Sequence, residues 1–321
     1  MDTQRRFGQG KRWQYIPLLA PLTLFVLIPF LCESAFAAAG DLDSSFDSDG
    51  IRVVRLAGSN LGQGLGLQSD GKIVVAGYTN AGSTTNNVLV LRLNPNGSLD
   101  STFDGDGIRI VLLAGDDRGQ AVAVQSDGKI VVAGYTNSGS TTNNVLALRL
   151  NANGSSDTSF DGDGIQIVSQ AGDDRGQAVA VQGDKIVVAG YTNTGSRTNN
   201  FLAVRLNVDG SLDTSFDLDG VRTIGLSGDD RGRAVAVQTD GHVIIAGDTT
   251  TFGLEDFMVV RLNADGSLDT TFDGNGIRTA GLSGKNLGQG VKIQPDGKII
   301  MVGTTDTFDV SDVELMRFLG Q

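Results

Sequence analysis

Three copies of one charged triplet are the clearest candidates for chemistry in this chain: Asp116-Asp117-Arg118, Asp173-Asp174-Arg175 and Asp229-Asp230-Arg231. Carboxylates beside a guanidinium can hold a polar ligand by charge-assisted hydrogen bonds. Tyr78, Tyr135 and Tyr191 stand at the roots of Asn/Thr/Ser/Gly loops and are read as part of the same ligand-binding face. That face is uneven. Ser59-Asn60-Leu61 and Lys285-Asn286-Leu287 take the triplet position at the two ends of the chain, while Asp248 and Thr304 replace the tyrosine. Such unevenness is where a specific site can arise. The competing reading is that Asp and Asn hold turns.

A second acidic motif recurs as Asp104-Gly105-Asp106-Gly107, Asp161-Gly162-Asp163-Gly164 and Asp217-Leu218-Asp219-Gly220, with related copies at 47–50 and 273–276. Two carboxylates one residue apart can offer oxygens to Ca²⁺. Asp104, Asp106, Asp161, Asp163, Asp217 and Asp219 are therefore metal candidates, and Ca²⁺ is the one cofactor that the sequence brings into view. A calcium loop of the EF type also needs oxygens at further set positions. Here Ile or Val follows the glycine, and Asp-Gly turn chemistry alone accounts for the motif.

Other chemistry is excluded residue by residue. The chain has one histidine, His242, where the other units carry Lys72, Lys129, Lys185 and Lys298. A Ser-His-Asp triad or a His-rich metal site is out of reach. The glycine-rich stretches lack the Lys-Ser/Thr of a phosphate-binding loop. Carboxylate chemistry remains, as in five-bladed glycosidases with acidic residues around a central channel. It requires two carboxylates in different environments, and the paired Asp are near-identical copies. Glu255 and Glu314 are the only glutamates beyond residue 37, with no evident acid/base setting. The expectation from sequence is a protein that is not an enzyme.

The elements that position these residues come from an internal repeat. Leu42-Asp43-Ser44-Ser45-Phe46 returns in related form with its phenylalanine at Phe103, Phe160, Phe216 and Phe272, spaced by 57, 57, 56 and 56 residues. Each unit of this length contains four short apolar runs bounded by turn residues, with no helical periodicity. They are strand a (QAVAVQ, 120–125), strand b (KIVVAGY, 129–135), strand c ending in Arg-Leu-Asn (145–151) and strand d after Asp-Gly (107–112). Four strands per unit of this size make a propeller blade. The expected fold is all-β: a five-bladed β-propeller of four-stranded blades, its ring closed by pairing the N-terminal strand Ile51–Leu56 with the C-terminal blade at Val313–Leu319. The phenylalanines are expected in the core. Arg92, Arg149, Arg205, Arg261 and Arg317 are expected to pair with Asp100, Asp157, Asp213, Asp269 and Asp43, one ion pair per blade.

The phrases LDxxF, DGKIVVAGYT and LRLNxNGSLD resemble the delta-60 repeat, a bacterial β-propeller repeat, from Gly40 to the C-terminus. The resemblance implies a propeller and an exported or surface location. It brings no reaction and no site residues.

The formal charge is −12, with 25 basic and 37 acidic residues among 321. Such a surface repels nucleic acid and anionic membranes. Residues 1–37 read as a signal peptide: Arg5 to Arg12 is basic, Ile16 to Cys32 is apolar but interrupted by three prolines, and small residues allow cleavage after Ala37 or Ala39. Residues 38–321 form the repeat domain. Cleavage removes Cys32, the only cysteine, and with it thiolate and disulfide chemistry. The expected protein is secreted, periplasmic or on the cell surface, monomeric, and not inserted in a membrane. It would serve as a non-catalytic binding or scaffold module for an extracellular protein or glycan. The alternatives are a polysaccharide hydrolase or lyase using carboxylates, and a Ca²⁺-stabilised envelope module.

Overall fold

A computed structural model describes residues 39–320 apart from 139, 194–196, 227, 252, 282–283 and 308–309. The expected signal peptide lies outside the described residues. The chain divides into Met1–Asp41 and Leu42–Gln321, and the second unit holds every strand described below.

The unit is a five-bladed β-propeller. Blade 1 comprises β1 (Asn60–Leu67), β2 (Ile73–Thr79), β3 (Asn87–Leu93) and β4 (Ile108–Val111). Blade 2 comprises β5 (Asp117–Val124), β6 (Ile130–Thr136), β7 (Asn144–Leu150) and β8 (Ile165–Val168). Blade 3 comprises β9 (Asp174–Gln182), β10 (Lys185–Thr192), β11 (Asn200–Leu206) and β12 (Val221–Ile224). Blade 4 comprises β13 (Asp230–Val237), β14 (Val243–Thr251), β15 (Leu254–Leu262) and β16 (Ile277–Ala280). Blade 5 has three strands, β17 (Lys285–Ile293), β18 (Ile299–Thr307) and β19 (Val310–Phe318). Each blade is an antiparallel meander, as short strands joined by tight turns require. The expected pairing of Ile51–Leu56 with the last blade is not formed: these residues make no strand, and the fifth sheet ends at β19.

Apolar side chains on both faces of the middle strands pack against the next blade. Four core clusters result, one at each junction from blades 1–2 to blades 4–5. As expected, four of the five repeat phenylalanines lie in this core: Phe103, Phe160 and Phe216 are fully buried and Phe272 nearly so, whereas Phe46 is only half-buried. Each junction is also stapled by charge. Arg149 Nε donates to Asp157 Oδ2 at 2.6 Å, its Nη1 reaches the Val208 carbonyl of the next blade at 2.6 Å, and its guanidinium lies 4.7 Å from the Phe160 ring centroid. Lys129 adds a second cation 3.0 Å from Asp157. The same arrangement recurs at Arg92–Asp100 (2.7 Å), Arg205–Asp213 (2.6 Å) and Arg261–Asp269 (2.5 Å). At the last of these, His242 takes the lysine's place, 3.4 Å from Asp269. His242 thus stands in the lysine's place beside a staple, a contact that the sequence reading of it as a substituted surface residue did not include.

Every innermost strand carries one β-bulge. The extra residue is Gln63, Gln120, Gln177, Arg233 or Gln289, opposite an Ala-Gly step of the neighbouring strand in blades 1–4 and Val302-Gly303 in blade 5. The bulge pushes a carbonyl oxygen toward that glycine. A Cβ on Gly134 would collide with the Arg118 carbonyl, and one on Gly190 with that of Arg175. This explains the glycine near the end of strand b, at Gly134 and Gly190.

Candidate functional site

The loops after strands d and b meet on one face, and the structure brings the predicted triplets and tyrosines together there. The first Asp of each triplet ties neighbouring loops. Asp116 accepts from Asn86 N (3.1 Å) and Nδ2 (2.5 Å) of the preceding blade. Asp173 does the same with Asn143, and Asp229 with Asn199. The second Asp is buried. Asp117 accepts from Thr136 Oγ1 (2.5 Å) and Leu113 N (3.2 Å). Asp174 accepts from Thr192 and Gln170, and Asp230 from Thr249 and Leu226. All six carboxylates are therefore committed to holding loops. The three arginines, each also paired with the first Asp of its triplet, and the half-buried Tyr78 and Tyr191 remain for contact, whereas Tyr135 is buried. Arg118 lies 4.9 Å from the Tyr78 ring and 5.9 Å from that of Tyr135; Arg175 lies 4.9 Å from Tyr135; Arg231 lies 5.9 Å from Tyr191. The result is an alternation of rings and guanidinium planes from blade 1 to blade 4, each arginine side chain about one third exposed.

The metal candidates lie on the opposite face. Asp106, Asp163 and Asp219 each accept from the backbone N–H two residues on, at 2.8–2.9 Å. Asp104 and Asp217 pair with Arg109 (3.3 Å) and Arg222 (2.9 Å). Gln166 stands at the corresponding arginine position beside Asp161, whose pKa is raised by burial and by Asp163 and Asp209. Asp104, Asp161 and Asp217 have φ of 48–51°, a left-handed conformation that Asp tolerates better than most side chains. Backbone geometry thus accounts for the first Asp of the motif. Among the described residues, no group of three or more His, Cys, Asp or Glu is arranged to hold a metal ion.

Blade 4 departs from the repeat, and sequence reasoning underrated it. Where blades 1–3 have Tyr and the bulge Gln, this one has Asp248 and Arg233, and the two form an ion pair. Asp248 is 2% exposed. Burial raises its pKa, with Glu255 adding to the effect and Arg233 and Arg231 opposing it. The long loops of blades 1–3, 80–86, 137–143 and 193–199, are absent from blade 4, where β14 and β15 run on as a taller hairpin with two residues between them. Register sets Asp248 opposite Phe257 and Thr250 opposite Glu255, so Asp248 and Glu255 share a face of the sheet. Glu255 is held by Lys285 of blade 5, 2.8 Å away. One buried carboxyl with raised pKa and one carboxylate paired with an ammonium are two acids in different environments. The sequence signal was the pair of simultaneous departures, Gln to Arg233 and Tyr to Asp248.

Carboxyl groups elsewhere set the acid limit of the fold. Burial opposes ionisation of Asp100, Asp157 and Asp213, but hydrogen bonds from Ser or Thr, Lys and Arg outweigh it and hold all three well below the ordinary range; Asp269 is lowered likewise. Their contribution is complete above the unfolded value of about 3.9 and is lost as pH falls below it. Asp117, Asp174 and Asp230 are raised by burial, so protonation favours the fold as pH falls toward that value. The melting temperature is thus expected to hold or rise slightly from pH 7 to about 4 and to drop steeply below it. A decline already under way at pH 6 to 5 would contradict these assignments.

A family model described as "Domain of unknown function (DUF5122) beta-propeller" matches residues 68–103, 125–160, 182–216, 238–272 and 294–320, more than half the chain. The chain belongs to this β-propeller family. No curated protein matches. Similar solved structures include a Dyadobacter fermentans protein of unknown function (12% identity, 83% of this chain and 81% of that one, TM-score 0.49). Another is a polysaccharide lyase of family PL25, an ulvan lyase bound to -[GlcA(1-4)Rha3S]- (14% identity, 79% and 66%, TM-score 0.44). A third is CoXyl43, a GH43 β-xylosidase/α-arabinofuranosidase from a compost microbial metagenome (9% identity, 79% and 89%, TM-score 0.37). At these identities the likeness is one of fold. It does correct the expectation that the protein is not an enzyme: most of these fold neighbours are enzymes.

Proposed function

We propose that this propeller acts on an extracellular glycan, hydrolysing or eliminating a glycosidic bond with the carboxyl groups of blade 4. The observation that carries the reading is the replacement of a repeat tyrosine by the buried Asp248, with a raised pKa, on the same sheet face as the Lys285-paired Glu255. Asp248 retains a proton to higher pH than an ordinary Asp and suits the general acid. Glu255, facing an ammonium, suits the base or nucleophile. The partly exposed rings and guanidinium planes of Tyr78, Arg118, Arg175, Tyr191 and Arg231 offer a surface on which successive sugars can lie, the guanidiniums suiting acidic ones. The basic and apolar start of the chain and the resemblance to the delta-60 repeat fit an exported protein that meets polysaccharide outside the cell.

The test is to incubate the protein with neutral and uronate-containing polysaccharides, reading reducing ends and the ultraviolet absorbance of unsaturated products. Either product supports the reading. Neither product from any member of a broad panel, at protein concentrations where binding is saturated, sinks it.

A further inference from the structure

We propose that the junction between blades 4 and 5 takes an uncharged sugar residue, and that Glu314 and Thr305 of blade 5 bind its hydroxyls. The inference rests on the reading above that blade 4 carries the acid, and it names the class of sugar that flanks the bond being broken.

Glu314 departs from the repeat where departure is costly. Strand c of blades 1–4 sets Leu89, Leu146, Leu202 and Met258, all buried, opposite the glycine of strand b. In blade 5 Glu314 stands there, opposite Gly303. Its Oε2 is shut off from solvent with no hydrogen-bond partner among the described residues. Burial raises its pKa. A carboxyl desolvated without compensation opposes folding, and a local rule broken at such a cost marks a functional position.

Register sets its surroundings. Met316 and Phe318, on the same face of β19, pack against the core shared with blade 4. A Cβ on Gly303 would run into the Phe257 ring, and Phe257 stands opposite Asp248. The ring therefore lies between Asp248 and Glu314. Cross-strand steps of about 5 Å put Glu314 beyond the bond that Asp248 would protonate and beside the next sugar of the chain. Leu146 and Val111 share the core at the first junction. Glu314 and Ala280 hold their places here, and Ala280 and Met316 line a cavity of about 630 Å³.

Thr305 is a second unused group. It is 3% exposed and by register shares the face of Glu314. Thr79, Thr136, Thr192 and Thr249, at its position, donate to an Asn or Asp of strand a. Thr305 Oγ1 has no partner among the described residues, while Asn286 turns its amide to the Glu255 carbonyl of blade 4 (3.1 Å). A hydroxyl and a carboxyl with hydrogen-bonding capacity to spare are what sugar hydroxyls can satisfy.

Charge sets the class of sugar. Arg233 and Lys285 are paired with Asp248 and Glu255. Arg261 and Arg278 on the cavity wall are paired with Asp269 and Asp273, and Arg317 belongs to the other face of β19. Glu314 and Asp312, which is opposite Thr305, have no ion-pair partner among the described residues. A uronate here would meet carboxylates, whereas a neutral sugar can donate its hydroxyls to them. Acidic sugars belong further along, at the guanidiniums of blades 2 to 4.

Binding measured by calorimetry keeps the test apart from turnover. The full chain carrying Asp248→Asn is used so that nothing is consumed, with hexasaccharides of glucose, mannose, xylose and galacturonate as probes. At least one neutral hexasaccharide is expected to bind. Adding Glu314→Leu, the residue that blades 1–3 carry there, is expected to weaken that binding about tenfold or more and to raise the melting temperature. Glu314→Gln keeps the hydrogen bonds without the charge, and is expected to hold the neutral probe within about threefold. Galacturonate is expected to gain affinity in both variants. No binding of any neutral probe, neutral binding unchanged in a folded Glu314→Leu protein, or galacturonate binding lost in either variant overturns the proposal. Neutral binding that depends on Glu314, in a wild-type protein that cleaves nothing, upholds this subsite and removes the reaction proposed above.

Discussion

Replacing Arg149 by Met is expected to cost about 3–5 kcal/mol of stability, as breaking a buried ion pair from one side generally does. The side chain is 1% exposed and its Nε donates to Asp157, Nη1 to Val208 and Nη2 to Ser159, while the guanidinium covers Phe160. Methionine fills the volume but leaves Asp157 charged and buried, with Lys129 its remaining cation. Replacing both partners, Arg149→Met with Asp157→Leu, is expected to recover much of the loss, because no uncompensated charge stays behind. By contrast, Arg118→Met should cost no more than about 1 kcal/mol, since its pair with Asp116 is exposed to screening. Urea unfolding midpoints separate these cases. A loss below 1 kcal/mol for Arg149→Met would mean that the staple does not hold the junction.

Asp248→Asn is expected to lower turnover of a responsive polysaccharide by about 10²–10⁴-fold, the usual contribution of a general acid. Asparagine keeps the shape and can still accept from Arg233, so the fold should persist. The amide cannot deliver a proton to a leaving oxygen. Because burial raises the pKa of Asp248, the wild-type rate should fall as pH rises through a value above the ordinary Asp range. The variant should lack that limb of the profile. An unchanged rate and profile would remove Asp248 from the chemistry.

Much of the fold was legible because it is written five times. The returning phenylalanine sets the blade length, the alternating runs set the strands, and the recurring Arg and Asp predict the staples; all three follow from local patterning that repetition amplifies. The site was less legible for the same reason. Asp116 and Asp117 looked like ligand groups because carboxylates beside arginine usually draw attention, but partners 19 and 30 residues away, Thr136 and Asn86, occupy them. Only folding reveals those partners. Asp248 looked like one more substitution among loops, and its burial and its pairing with Arg233 depend on a bulge that no sequence period displays. The Asp-x-Asp-Gly motif carried a metal signal, yet its spacing serves a left-handed turn and a backbone hydrogen bond.

The most direct test of the functional claim is to return blade 4 to the repeat. Arg233→Gln with Asp248→Tyr restores the residues that blades 2 and 3 carry at these positions, so the variant is built for the fold it enters. Its turnover of the polysaccharide that the wild-type protein degrades is the measurement. A variant that melts within a few degrees of wild type and has lost turnover is the predicted result. A variant equally well folded that degrades the polysaccharide at the wild-type rate would show that the chemistry does not reside in blade 4.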